Sequence, residues 1–132
     1  MSLIKLSILS FVFSFVGITA KANSIAFKET LDQSKYSVFF LIHALAPGYG
    51  DLTDFNIDDC KTQRNLNSEG KDQARSIGTD LKSIGISFDK IYSSEWCRCT
   101  ETASLLILGE VTTFSGLNSF FQNHYNREET IT

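Results

Sequence analysis

The chain has no run of basic residues. Its 12 Lys and Arg are outnumbered by 15 Asp and Glu, for a formal charge of −3. Nucleic-acid binding needs a cationic stripe or patch, so the composition argues against it. Internal repeats and low-complexity stretches are absent, which leaves out solenoids and tail-like segments. The longest apolar run, Leu6 to Ala20, is shorter than the ~20 residues a spanning helix requires. No histidine stands at ligand spacing from the three cysteines, Cys60, Cys97 and Cys99, so no metal site is expected. Cys97 and Cys99 have one residue between them, whereas thioredoxin-like redox pairs have two, which excludes that class.

The apolar run has another explanation. Met1 and Lys5 make a short positive start, Leu6 to Thr19 is almost wholly apolar, and Ala20-Lys21-Ala22 has the small-x-small pattern of a cleavage site. Residues 1–22 therefore read as a signal peptide cut after Ala22. The expected product is exported, periplasmic or extracellular, with no stable membrane anchor after cleavage. Residues 23–132 suit one small domain. With 42% hydrophobic residues and eleven Phe, it has the apolar material for a core. Disulfides persist in the oxidising compartments that exported chains enter. Three cysteines allow one internal bridge. Cys60 with Cys97 or with Cys99 is the favoured pairing, and it would close a loop of nearly forty residues.

Ser24 to Lys35 is a polar leading segment. Tyr36 to Ile42 is a near-continuous apolar run, expected as a buried strand of a parallel sheet. It ends in His43. Pro47 to Asp59 is a loop without periodicity, and loops of that length in a small domain are usually functional. Asn67 or Ser68 is a good N-cap. Beyond it Ala74, Ile77, Leu81 and Ile84 recur at helical spacing, and Gly85 ends the helix. The other face carries Lys71, Asp72, Arg75, Asp80 and Lys82, which read as solvated surface. Phe88 to Tyr92 is expected as a second strand, with Ser93-Ser94-Glu95 as turn and N-cap. A helix follows from about Trp96 to Leu108, ended by Gly109, and Val111 to Phe114 is a third candidate strand. Gln122 to Thr132 has no clear pattern. The order strand, helix, strand, helix, strand predicts an α/β fold, a mainly parallel sheet flanked by helices on both faces.

Parallel strands end on one edge, and ligands of open α/β sheets sit beyond that edge. His43 ends the first strand, and Arg98 lies in the first turn of the helix after the second. That helix start also presents backbone N–H groups and the positive end of a dipole. Arg binds phosphate oxygens as a planar fork, and a neutral imidazole can attack phosphorus. Position alone is weak ground, since a histidine at a strand end is more often structural and an arginine at a helix start is more often a surface charge.

Three pieces do more. They are Phe39-Phe40-Leu41-Ile42-His43-Ala44-Leu45-Ala46-Pro47-Gly48, then Asp58-Asp59-Cys60-Lys61-Thr62-Gln63-Arg64-Asn65-Leu66-Asn67-Ser68-Glu69-Gly70, and Ile91-Tyr92-Ser93-Ser94-Glu95-Trp96-Cys97-Arg98-Cys99-Thr100-Glu101-Thr102-Ala103. In this order and spacing the chain resembles the histidine phosphatase superfamily, the phosphoglycerate mutase-like proteins. The resemblance implies phosphomonoester hydrolysis through a phosphohistidine. His43 would be the nucleophile and Arg98 a phosphate clamp presented by the Ser93-Ser94 turn, with Arg64 near the rim. It implies no metal or cofactor, and a phosphorylated small molecule or phosphate as the partner.

Two departures stand out. The family places an Arg directly before the catalytic histidine, and here Ile42 stands there, as if the Arg were deleted. One residue lost from a strand would reverse the faces beyond it. The family also supplies a second histidine at the end of a later strand. His124, in Phe120-Phe121-Gln122-Asn123-His124-Tyr125, has no apolar strand before it. The expectation is an incomplete domain over 23–132, lacking its last strands and impaired in catalysis. The alternative is a non-catalytic phosphate-binding or interaction protein derived from such an enzyme.

Overall fold

A computed structural model describes residues 26, 28–34 and 37–121. The expected signal peptide, Tyr36 and His124 lie outside the described residues. The chain divides into two units, Met1–Phe39 and Phe40–Thr132. In the first, residues 28–32 are helical, with an exposed Lys28–Asp32 pair one turn apart at 2.7 Å. Among the described residues no helix is long and apolar enough to cross a membrane.

The second unit holds α1 (Ser68–Ser83), β1 (Ile91–Ser93), α2 (Cys97–Leu106) and β2 (Val111–Thr113), with 3-10 turns at Cys60–Thr62 and Ser115–Leu117. Asn67 caps α1, its side chain accepting the Gly70 N–H at 2.8 Å. Ile84 follows the last turn, and Gly85 takes φ +73°, a conformation that costs glycine little. β1 and β2 pair in parallel, Ile91 opposite Val111 and Ser93 opposite Thr113. The α/β class therefore holds in reduced form, as two short parallel strands with helices.

The expected first strand is corrected. Residues 37–42 lie in no strand, and the sheet contains only β1 and β2 among the described residues. Phe40 is 89% and Ile42 83% exposed. An apolar run is buried as a central strand only where other layers cover both its faces, and among the described residues no strand pairs with 40–42. Chain order is fixed further along. The Ala44 and Leu45 N–H groups donate to side chains of the helices, Thr102 and Gln73.

The helix contacts are also displaced from expectation. The seam of α1 that is fully buried is Gly70, Ala74 and Gly78, while Ile77 and Leu81 are only half-buried. These small residues permit backbone contact. A Cβ at Gly70 would sit 2.0 Å from the Leu45 carbonyl oxygen, and one at Gly78 would sit 2.1 Å from that of Leu106. Lys71, read as solvated, reaches Glu101 of α2 at 2.8 Å. α2 stops at Leu106, short of the expected Leu108, because Ile107 turns left-handed at φ +52°. The core is correspondingly small: Ala44, Ala46, Leu66 and Ala74, with Leu105 packed on it. Phe114, Phe120 and Phe121 are exposed, so these phenylalanines do not build the interior, whereas Trp96 is 1% exposed.

Candidate functional site

His43 directly precedes Ala44 and Leu45, whose N–H groups donate to side chains of the two helices. Its Nδ1 lies 2.7 Å from the Ala44 carbonyl oxygen. A carbonyl only accepts, so Nδ1 carries a proton in this contact, the tautomer that leaves a lone pair on Nε2. The Ala44 N–H donates to Thr102 Oγ1 at 3.0 Å, and the Thr102 hydroxyl donates to the Arg98 carbonyl at 2.7 Å. Thr102 is one turn beyond Arg98 on α2. Two hydrogen bonds thus tie the backbone beside His43 to the helical turn that carries Arg98.

Arg98 is buried, 8% exposed. Its Nη1 donates to Asp51 Oδ1 at 2.7 Å in a buried ion pair, and more weakly to the Arg64 carbonyl at 3.4 Å. The guanidinium carbon is 5.8 Å from the centroid of the Trp96 ring. Nε is buried and has no hydrogen-bond partner. A buried charged donor without an acceptor is costly. Nε shares one edge of the guanidinium with Nη2, and that edge is the fork that binds planar and phosphoryl oxyanions.

Asp51 was not among the residues singled out from sequence, yet it organises the site. Oδ1 also accepts the Arg64 N–H at 2.8 Å, and Oδ2 accepts Trp96 Nε1 at 3.1 Å. Burial pushes its acid up. The hydrogen bonds from Arg64, Arg98 and Trp96, with the charge of Arg98, outweigh this and hold it below the ordinary value. Arg64 is turned to the same loop, its Nε on the Gly50 carbonyl at 3.2 Å and its Nη1 on the Ala46 carbonyl. Loop 46–51, directly after the histidine, therefore grips both arginines.

The start of α2 differs from expectation. Its N-cap is Trp96, without a side-chain cap bond. Ser94 Oγ accepts the Trp96 N–H at 3.2 Å, one residue before the helix. The Cys97 N–H, expected to be free for an anion, donates to Gln63 Oε1 at 2.9 Å. Gln63 is itself buried and donates to the Asn56 and Ile57 carbonyls. Nothing in the local pattern around Gln63 announced a cap supplied from another segment. The structure joins Cys60 to Cys97, which leaves Cys99 as the free thiol. Burial pushes the Cys99 thiol up, against a hydrogen bond with Ser94 and the charge of Arg98, so it is a poor thiolate.

The family model of the histidine phosphatase superfamily, branch 1, matches residues 53–122, more than half of the chain. The chain belongs to the histidine phosphatase superfamily. The matched span contains Arg64 and Arg98 and begins after His43. A broad-specificity phosphatase of Saccharomyces cerevisiae, YOR283W, is 43% identical over 42 residues, which are 32% of this chain and 18% of the yeast protein. The chain thus spans less than a fifth of the curated relative it matches. No solved structure matches. Ile42 and His43 lie before the matched span. The face reversal expected from loss of an arginine before His43 does not arise in a ladder, because 40–42 are in no strand.

Proposed function

We propose that this histidine phosphatase-like chain binds the phosphoryl group of a small phosphomonoester and cleaves it slowly through His43. The observation that carries the reading is the buried Arg98, held by Asp51 through Nη1 while its Nε has no partner. An unsatisfied cationic donor, on a helical turn to which the backbone next to His43 is hydrogen-bonded, is the chemistry an oxyanion would complete.

His43 Nε2 would attack phosphorus, forming the N–P bond as the ester P–O bond breaks. The alcohol leaves with the ester oxygen and takes a proton from solvent. Water then attacks the phosphohistidine, the N–P bond breaks, and phosphate leaves with imidazole restored. Arg64 does not stand in for the arginine missing before His43, since it is committed to the carbonyls of Gly50 and Ala46. Loss of one transition-state donor lowers turnover about 10²–10³-fold. The complete domain of this reading has the wider parallel sheet with helices on both faces. Export to a periplasmic or extracellular compartment, where the Cys60–Cys97 bond persists, is part of the same proposal.

The test is turnover of p-nitrophenyl phosphate by the purified chain, with calorimetric titration of phosphate alongside. Slow turnover that vanishes in His43→Ala is expected, with phosphate binding retained. Absence of both turnover and phosphate binding would sink the reading. Binding without any turnover favours the second reading, a phosphate-binding protein without catalysis, which the isoleucine before His43 and the charge balance of Arg98 by Asp51 both support.

A further inference from the structure

We propose that Asp51 is the positioning residue of this site, holding Arg98 by Nη1 so that the Nε edge of the guanidinium stays turned to the phosphoryl group. The inference rests on the phosphate reading of Arg98 and adds a residue to it. Among the described residues the carboxylate accepts from the Arg98 guanidinium at 2.7 Å, the Arg64 backbone N–H at 2.8 Å and the Trp96 indole N–H at 3.1 Å. The indole and the backbone N–H fix the carboxylate, and the carboxylate fixes the guanidinium. Its side chain is 3% exposed, so solvent does not share the work.

A purely structural partner would satisfy as many donors of a buried arginine as it could reach. Here the ion pair engages Nη1 and leaves buried Nε without a partner. A carboxylate set to neutralise Arg98 fully would lie across the Nε fork, where two parallel hydrogen bonds form. Asp51 lies at the other side and leaves that fork uncommitted. Its place in the loop completes the logic. Gly48 and Gly50, which flank Tyr49, have φ of +96° and +70°, left-handed conformations that suit glycine. They turn the chain back so that Asp51 meets α2 soon after His43.

The experiment compares wild type, Asp51→Asn and Asp51→Ala by titrating inorganic phosphate. Calorimetry gives affinity, and the Arg98 Nε–H resonance in nitrogen–proton NMR reports contact at the fork. In wild type, phosphate is expected to shift the Nε–H resonance. The isosteric Asn keeps an oxygen acceptor and should bind about tenfold more weakly. The Ala variant should bind more weakly still and lose the resonance shift. A folded variant that binds phosphate within about twofold of wild type, or more tightly, overturns the assignment. So does a wild type that binds phosphate with the Nε–H resonance unmoved. If Asp51→Ala does not fold, Asp51→Asn alone decides. A wild type that binds no phosphate removes the phosphate reading itself, and the role of Asp51 with it. A merely structural Asp51 would lower variant stability yet leave affinity and the resonance shift as in wild type.

Discussion

A carboxylate held between two arginines and an indole ties folding to acidity. Asp51 has its acid lowered in the fold, so its ionised form stabilises the native state above the ordinary carboxyl value. That contribution is lost as pH falls through the lowered folded value. Urea unfolding of wild type and Asp51→Asn should therefore differ most near neutral pH, and the gap should close below about pH 4. A gap unchanged between about pH 6 and pH 3 would show that Asp51 is not the titrating group. At this scale the sequence offers candidates where a polar side chain coincides with a chain junction. His43 ends an apolar run and Arg98 opens a helix, so both were legible as candidates. Asp51 and Gln63 were not, because each acts on α2 from a loop more than thirty residues away. An acid directly after Gly-Tyr-Gly was the one available hint.

Helix packing turns on two glycines that local propensity counts as defects. Adding a methyl at Gly78 raises helix propensity by ~1 kcal/mol. The same methyl would lie 2.1 Å from the Leu106 carbonyl, and separating two packed backbones costs up to about 3 kcal/mol. Packing wins, so Gly78→Ala should destabilise by about 2 kcal/mol, read as a lower urea midpoint with an unchanged slope. Exposed Ser76→Ala is the matched control and should leave the midpoint almost unmoved. α1 was legible because Asn67 caps it and its apolar residues repeat at helical spacing. Its buried seam was not, since a pattern of large apolar residues points to Ile77 and Leu81 rather than to Gly70, Ala74 and Gly78. The run before His43 has the composition of a buried strand. Whether it becomes one depends on neighbouring strands, which its own residues do not encode.

The whole unit rests on a small apolar interior, with Trp96 as its fully buried large side chain among the described residues. Covalent restraint then matters more than in a larger domain. The Cys60–Cys97 bond spans a sequence separation of 37, and chain entropy assigns such a loop about 4 kcal/mol. Cys60→Ser with Cys97→Ser should lower the unfolding free energy by about that amount, and an unchanged urea midpoint would refute this. The class of fold was readable from the alternation of elements, whereas the depth of the core was not. Phenylalanine content says how much apolar surface exists but not where it goes. The same bond has a consequence for a damaged chain. Lys82 and Lys90 are exposed and lie between the two cysteines. A protease cut after either lysine leaves a protein of unchanged mass apart from one added water. The segment bearing His43 and the segment bearing Arg98 remain on one covalent body, and the nick comes to light only on a reducing gel.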